Sequence, residues 1–228
     1  MSKNLISVII PTLNEEENIG KVIDEVKSEL DKYGYKYEII VVDGYSQDKT
    51  VEIAKKHGAK VIFDSVGKGS ALRKGMKYAK GDILISMDAD LSNKPNELRL
   101  LISGIEIGYD VCMGSRFIAG GGTEDMPLLR KIGNKIFVIL VNLFFGTNYT
   151  DLCYGYRSFR RDAFRKLNLK EDKFGIETEI SIKAAKLGLK VMEVPSFEKK
   201  RNAGTGKLRS FRDGYSILKT IFKNLRDS

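Results

Sequence analysis

An α/β fold built on a doubly wound, mostly parallel sheet is predicted by three features of this 228-residue chain. Apolar runs at 5–10, 37–42, 60–63, 83–87 and 111–114 alternate with helical patterns at 16–31, 47–57, 69–79 and 95–107, the alternation that builds βαβ units. The chain is long enough to bury a full core, and it has no linker-like stretch or internal repeat. Its polar and glycine-containing segments follow the apolar runs, at the strand ends where such sheets bind ligands near the reversal of strand order.

The first run leads into Pro11-Thr12-Leu13-Asn14-Glu15-Glu16-Glu17-Asn18, an acidic helix start favoured by the helix dipole. The second ends in Val42-Asp43-Gly44-Tyr45-Ser46-Gln47-Asp48-Lys49-Thr50. There Asp43 is placed to accept a hydrogen bond from a base or ribose, and Ser46 and Asp48 are expected to cap the next helix. The third leads to Gly67-Lys68-Gly69-Ser70-Ala71-Leu72-Arg73-Lys74-Gly75, whose glycines would admit a ligand close to the backbone. Asp88 falls near the offset of a dinucleotide-binding acid, but the glycine loop follows the third strand and lacks the third glycine of that fingerprint.

The fourth run ends in Asp88-Ala89-Asp90. Carboxylates at i and i+2 of an extended backbone leave on the same side. They can face one small, hard cation, Mg²⁺ or Mn²⁺, bridging a diphosphate; the alternative is a pair of turn residues ahead of a helix starting near Pro95. Further on, 127–145 reads as a helix with a basic start and a very apolar second half. Near the C-terminus Phe211, Tyr215, Leu218, Phe222 and Leu225 form one stripe, with Arg212, Lys219, Lys223 and Arg226 on the other faces. Basic amphipathic helices of this kind lie in a membrane interface, or pack against a sheet or a second copy.

The apolar run 136–145 is interrupted by Asn142 and is too short to span a bilayer, and no signal segment opens the chain. A cytoplasmic protein, peripheral at a membrane surface, is expected. Lys and Arg outnumber Asp and Glu by 39 to 30, a net +9 that calls for an anionic partner: nucleotide phosphate, nucleic acid or an anionic membrane. Cys112 and Cys153 have no metal-type spacing, in keeping with a reducing interior, and His57 after Lys55-Lys56 reads as a helix C-cap.

Taken together, the motifs at 8–15, 41–50, 67–69 and 88–90 resemble glycosyltransferase family 2. The likeness continues through Gly114-Ser115-Arg116-Phe117, Asp151-Leu152-Cys153-Tyr154-Gly155-Tyr156-Arg157 and Lys200-Arg201-Asn202-Ala203-Gly204-Thr205-Gly206-Lys207. Within the family the chain resembles the dolichyl- or polyprenyl-phosphate sugar synthases. That resemblance implies a type A glycosyltransferase fold in one catalytic domain, with 1–115 as the nucleotide-sugar half and 116–228 as the acceptor half. It also implies a metal-dependent, inverting transfer of a hexose or N-acetylhexosamine from a nucleotide-diphosphate sugar to a lipid phosphate, with no nucleic-acid partner.

By the same resemblance Pro11, Leu13, Glu15, Asp43, Lys68 and Ala89 would lie on the donor, and Asp88 and Asp90 would hold metal and donor with Ser92 as a third ligand. Arg116, Arg130 and Arg201 would meet phosphate oxygens, supported by Lys207, with Asp151 and Glu177 on the acceptor side. Many relatives have Tyr at the Leu13 position, Asp at Gly44 and Gln at Ser92; the shorter Ser92 would reach the metal through water. The 67–73 stretch looks closer to the glucose than to the mannose enzymes, which tilts the expected donor towards a UDP-sugar.

The chemistry also follows from the residues. A phosphomonoester is largely ionised at neutral pH, its second pKa being about 6, so catalysis reduces to positioning and charge stabilisation. A hydroxyl acceptor, on a glycan or small molecule, would need a carboxylate base, for which Glu177, Glu179 and Asp151 are the candidates. A sugar nucleotidyltransferase would have a glycine-rich loop after the first strand, where this chain has Pro-Thr-Leu-Asn-Glu. A basic nucleic-acid or membrane-binding module would leave the Asp88/Asp90 pair without a purpose.

Overall fold

The computed structural model describes residues 4–200 and 210–226. Its first part follows the predicted alternation: β1 (Leu5–Thr12), α1 (Ile19–Lys32), β2 (Lys36–Asp43), α2 (Thr50–Lys56), β3 (Lys60–Phe63), α3 (Lys68–Tyr78) and β4 (Ile83–Ser86). A 3-10 turn at Pro95–Glu97 leads into α4 (Leu98–Glu106) and β5 (Val111–Ser115). Then come β6 (Gly122–Thr123), α5 (Leu128–Phe145), β7 (Arg157–Arg160), α6 (Arg161–Leu167), α7 (Ile176–Lys186), β8 (Val191–Pro195), β9 (Phe197–Glu198) and α8 (Ser210–Arg226).

Among the described residues seven strands form the main sheet in the order β3-β2-β1-β4-β7-β5-β8, and β6 pairs with β9 in a small parallel ribbon. All neighbours in the main sheet are parallel except β7, which runs antiparallel to both β4 and β5. The order reverses at β1, whose other neighbours run outward to β2 and β3 while β4 returns on the opposite side. The tips of β1 and β4 therefore open side by side, which is where a doubly wound sheet binds its ligand.

Alternation along β1 sends Ile6, Val8 and Ile10 to one face and Ile9 to the other, and two apolar clusters cover the two faces. On the first, α1 contributes Ile19, Val22, Ile23, Val26 and Leu30, a stripe at helical spacing; fully burying each such side chain is worth about 1.5–3 kcal/mol. On the second, α3 comes so close to the sheet at Gly75 that a Cβ there would lie 2.5 Å from Ile9 Cγ2. Only glycine fits, and α3 is thereby held with its N-terminal end at the strand tips.

Two elements depart from the sequence reading. β7 carries Arg157-Ser158-Phe159-Arg160, with a single apolar side chain, yet three of its four residues are buried. The Ser158 hydroxyl donates to Leu101 O at 2.7 Å, and Arg157 is satisfied as described below. In α8 the buried residues are Asp213, Ile217, Thr220, Ile221 and Asn224, while Tyr215 and Phe222 of the predicted apolar stripe are exposed. The inward face is mixed because its polar groups find partners: the Thr220 hydroxyl donates to Glu171 Oε1 at 2.9 Å, and Asn224 Nδ2 donates to Thr220 O at 2.9 Å. Among the described residues of α5, Asn134 and Val141 alone are buried, and Leu128, Leu129, Ile132, Ile136, Ile139 and Leu143 stand out from it. No helix among the described residues is long and apolar enough to cross a membrane.

Candidate active site at the strand ends

The loops after β1 and β2 are sewn together. Asn14 N–H donates to Ser46 Oγ at 2.8 Å, Gln47 N–H to Asn14 Oδ1 at 2.9 Å, and Glu15 N–H to Thr50 Oγ1 at 2.7 Å. Asp43 is fully buried beneath them, accepting from Ser46 N–H at 2.8 Å and Ser46 Oγ at 2.6 Å. Ser46 thus fastens Asp43 and does not cap α2; the N–H of Thr50 is met by Asp48 Oδ1 at 2.9 Å. Pro11, Leu13, Glu15 and Gly44 line a cavity of about 510 Å³, whereas Asp43 lies outside its wall. In this structure both Asp43 carboxylate oxygens hold the Ser46 loop, one beneath its N–H and one beneath its hydroxyl.

Beyond β4 the chain turns at Asp88-Ala89-Asp90, all three on the cavity wall. Asn93 Oδ1 accepts Asp88 N–H at 2.7 Å, and Asn93 Nδ2 donates to the Tyr154 hydroxyl at 3.0 Å. Asp90 Oδ1 accepts Ser92 N–H at 3.1 Å. Ser92 is buried, and its contact with the acidic pair is made by this backbone group. No third His, Cys, Asp or Glu joins the pair in a metal-holding group among the described residues. A two-carboxylate set fits Mg²⁺ or Mn²⁺ bound largely through substrate phosphates and water. A cation already stands beside it, for Lys68 Nζ lies 2.8 Å from Asp88 Oδ1.

That ammonium also reaches Glu177 Oε1 at 3.0 Å. Burial works against the Lys68 charge, but Asp88 and Glu177 outweigh it and hold the ammonium above the ordinary lysine range. Gly67 and Glu177 share the cavity wall with Lys68. The glycines beside Lys68 admit a close backbone neighbour. A Cβ on Gly67 would lie 2.5 Å from Asp172 O, and one on Gly69 would lie 2.5 Å from Glu171 O. The backbone they admit is the chain's own, and Ser70 N–H donates to Asp172 O at 3.1 Å. Glu179, one turn-face away from Glu177, accepts Glu171 N–H at 2.8 Å and pairs with Lys183 at 2.8 Å. It fastens the 170–171 backbone, and only Glu177 of the two faces the cavity.

Arg116, at the tip of β5, was expected at phosphate oxygens and meets carboxylates. Its Nε donates to Asp151 Oδ2 at 2.7 Å, its Nη2 to Asp151 Oδ1 at 3.0 Å, and its Nη1 to Glu198 Oε1 at 3.1 Å. The guanidinium also lies 4.6 Å from the Tyr154 ring centroid. Asp151 is enclosed behind it and faces Arg116 rather than the open cavity. Arg130, in the first turns of α5, does line the cavity. Arg201 and Lys207 lie outside the described residues. The far wall is apolar, with Met126, Leu129, Phe137 and Ile217 drawn from α5, α8 and the segment before α5.

Comparison with known proteins completes the picture. Residues 7–167 match glycosyl transferase family 2. The chain belongs to that family. Similar proteins include a dolichol-phosphate mannosyltransferase of Pyrococcus furiosus, 37% identical over 97% of this chain and 62% of that protein. A dolichyl-phosphate hexose transferase of Haloferax volcanii is 33% identical over 96% of this chain and 92% of its own length. The glucosyl-3-phosphoglycerate synthase of Mycobacterium tuberculosis, solved with Mn²⁺ and UDP, superposes with a TM-score of 0.77 at 22% identity, covering 98% of this chain and 80% of that one. The type A glycosyltransferase fold and the enzyme class follow.

This family 2 glycosyltransferase holds its site with a residue that sequence patterns alone did not single out. Arg157 is fully buried, donating to Tyr154 O at 2.8 Å, Glu177 O at 2.8 Å, Leu152 O at 2.9 Å and Ser181 Oγ at 3.0 Å. Burial pulls its pKa below the ordinary arginine value. One guanidinium thereby ties the 152–154 loop to the first turn of α7, which presents Glu177. An arginine inside the otherwise aromatic Tyr154-Gly155-Tyr156-Arg157 stretch was the available signal.

Proposed function

We propose that the protein transfers a hexose or N-acetylhexosamine from a nucleoside-diphosphate sugar, a UDP-sugar by preference, to dolichyl or polyprenyl phosphate at a membrane surface, with inversion. The observation that carries this reading is the cavity itself, which runs from the acidic tips of β1 and β4 to an apolar wall on α5 and α8. Polar strand ends suit a nucleotide diphosphate. The apolar wall continues into the outward row Leu128, Ile132, Ile136, Ile139 and Leu143, a surface for acyl or prenyl chains. Lys135, Lys219 and Lys223 are exposed on the same two helices and suit anionic headgroups.

In this scheme Asp88 and Asp90 hold a divalent ion, which when bound would neutralise the leaving diphosphate. Pro11, Leu13 and Gly44 flank the nucleoside, and Arg130 orients the acceptor phosphate beside α5. A phosphate oxygen forms the new bond to the anomeric carbon as the bond to the diphosphate breaks on the opposite face. The acceptor arrives ionised, so no proton has to be removed from it. Glu177 is occupied by Lys68 and is not needed as a base, which supports a phosphate over a hydroxyl acceptor.

Transfer of labelled sugar from UDP-glucose, UDP-N-acetylglucosamine and GDP-mannose into polyprenyl phosphate in detergent, with Mg²⁺, Mn²⁺ or chelator, tests the reading. Metal-dependent label in the lipid from one donor is the expected result. Metal-dependent donor binding with no lipid label would overturn the lipid acceptor. Asp90→Ala should lower turnover by at least about a thousandfold with little change in thermal stability.

A further inference from the structure

We infer that Lys68 is a built-in counter-cation of the acidic mouth: its ammonium bridges Asp88 and Glu177 until a divalent ion arrives with a nucleoside diphosphate, then releases Asp88 and stays on Glu177. The inference rests on the reading of Asp88 and Asp90 as the metal-holding pair. It concerns what the chain does before metal and donor bind, and in what order they enter.

The geometry says which of the two contacts opens. Gly67 and Gly69 are wedged against the backbone at Asp172 and Glu171, and Arg73 pairs with Asp172. Lys68 is therefore anchored to the segment that runs directly into α7, the helix that carries Glu177. Its bond to Glu177 lies within one packed unit. Its bond to Asp88 crosses to the tip of β4, and Asp88 is the more exposed partner, at 30% against 6% for Glu177. Gly155 roofs the triad: a Cβ there would lie 3.0 Å from Lys68 Nζ, 3.3 Å from Glu177 Oε1 and 3.5 Å from Asp88 Oδ2. The space above the ammonium is closed on that side, so the side chain moves along the cavity, which Lys68 lines.

Charge supplies the rest. An ammonium at 2.8 Å from Asp88 and a divalent ion on the same carboxylate repel one another, so one displaces the other. A free ion must evict Lys68 from Asp88 with nothing offered in return. A nucleoside diphosphate brings oxygens that can take the displaced ammonium, so metal and nucleotide favour each other's binding by the same factor.

The test is Mn²⁺ binding, read from the electron paramagnetic resonance signal of the free ion, for the wild type and for Lys68→Met, alone and with UDP or GDP. The expected result is that Lys68→Met binds Mn²⁺ alone at least tenfold more tightly than the wild type, while the tightening caused by nucleotide shrinks. Equal or weaker Mn²⁺ binding in the variant, with the wild type still binding Mn²⁺ and nucleotide together, overturns the counter-cation and leaves the metal pair standing. No Mn²⁺ binding by the wild type under any condition removes the metal pair and the inference with it. Lys68→Gln, which keeps hydrogen bonding without charge, serves the same comparison if the methionine variant does not fold. Equal Mn²⁺ affinity of the wild type with and without nucleotide overturns the inference with no variant at all.

Discussion

Two cations, each held between two carboxylates, stand on the walls of one cavity, and they are built differently. Arg116 lies between Asp151 and Glu198 with its side chain 4% exposed, clamped by hydrogen bonds from three of its nitrogens and stacked near Tyr154. Lys68 lies between Asp88 and Glu177 with its side chain 22% exposed, joined to each by a single contact. Burial opposes the charge at both, and the carboxylates outweigh it at both. The difference lies in the donor. A planar fork fixes its partners in space, whereas a point charge on a flexible stem can change partners without moving the backbone. The same charge count serves as a girder in one place and as an exchangeable plug in the other.

The largest effect should come from Arg116→Met, which leaves Asp151 buried without its counter-charge. A loss of about 3–5 kcal/mol is expected, or a fall in Tm of roughly 6–20 °C for a chain of this size. A fall under about 3 °C in thermal unfolding would break the contrast between the triads.

Cys153 sharpens it. Burial pushes its thiol up to about 12, with Asp151 and Glu177 adding to the rise and Arg116 and Arg157 opposing it. Burial also pushes Cys112 up to about 12. At pH 8 both thiols stay protonated, and alkylation of the native protein should run on the order of a thousandfold slower than in denaturant. The thiolate fraction, and with it the rate, should rise about tenfold per pH unit without levelling below pH 11. Glu177→Gln should speed Cys153; ordinary reactivity in the native protein would place the thiol outside the field of both triads.

Lys68→Met should cost less than the arginine variant, about 1–2 kcal/mol, because Asp88 and the lysine itself are partly open to water. Equal losses in the two variants would make Lys68 a second girder. Smallest is Gly155→Ala, whose methyl would press the lysine ammonium aside at a cost under about 1 kcal/mol. Its readout is a change in Mn²⁺ affinity with Tm held, and an unaltered affinity would show that the roof plays no part in placing Lys68.

Legibility followed periodicity. β1 to β5 and the helices between them were readable because apolar runs of period two alternate with amphipathic stretches, and the strand-end carboxylates Asp88 and Asp90 could be read with them. β7 was hidden because its burial depends on an arginine that finds carbonyl partners only after folding. The inward face of α8 was not legible for a related reason: Thr220 and Asn224 lie on it with hydrogen bonds to Glu171 and to the Thr220 carbonyl that no sequence period announces. At the site, Lys68 and Glu177 were each visible, yet nothing local said that they share one ammonium with Asp88. The glycines of the 67–69 loop signalled close approach of backbone, and the chain's own 171–172 segment is one neighbour they admit.

The antiparallel strand has a consequence for how the chain is made. Among the described residues β5 finds its sheet neighbours in β7 and β8 and forms no ladder with β4. While the polypeptide emerges from the ribosome, β4 therefore keeps a bare edge and β5, packed on α4, has no strand partner until β7 has been synthesised. A truncation after residue 115 would expose that edge and an orphan strand together, a pairing surface for other chains. The nascent protein has to travel well past its acidic motif before the wall that carries it can close.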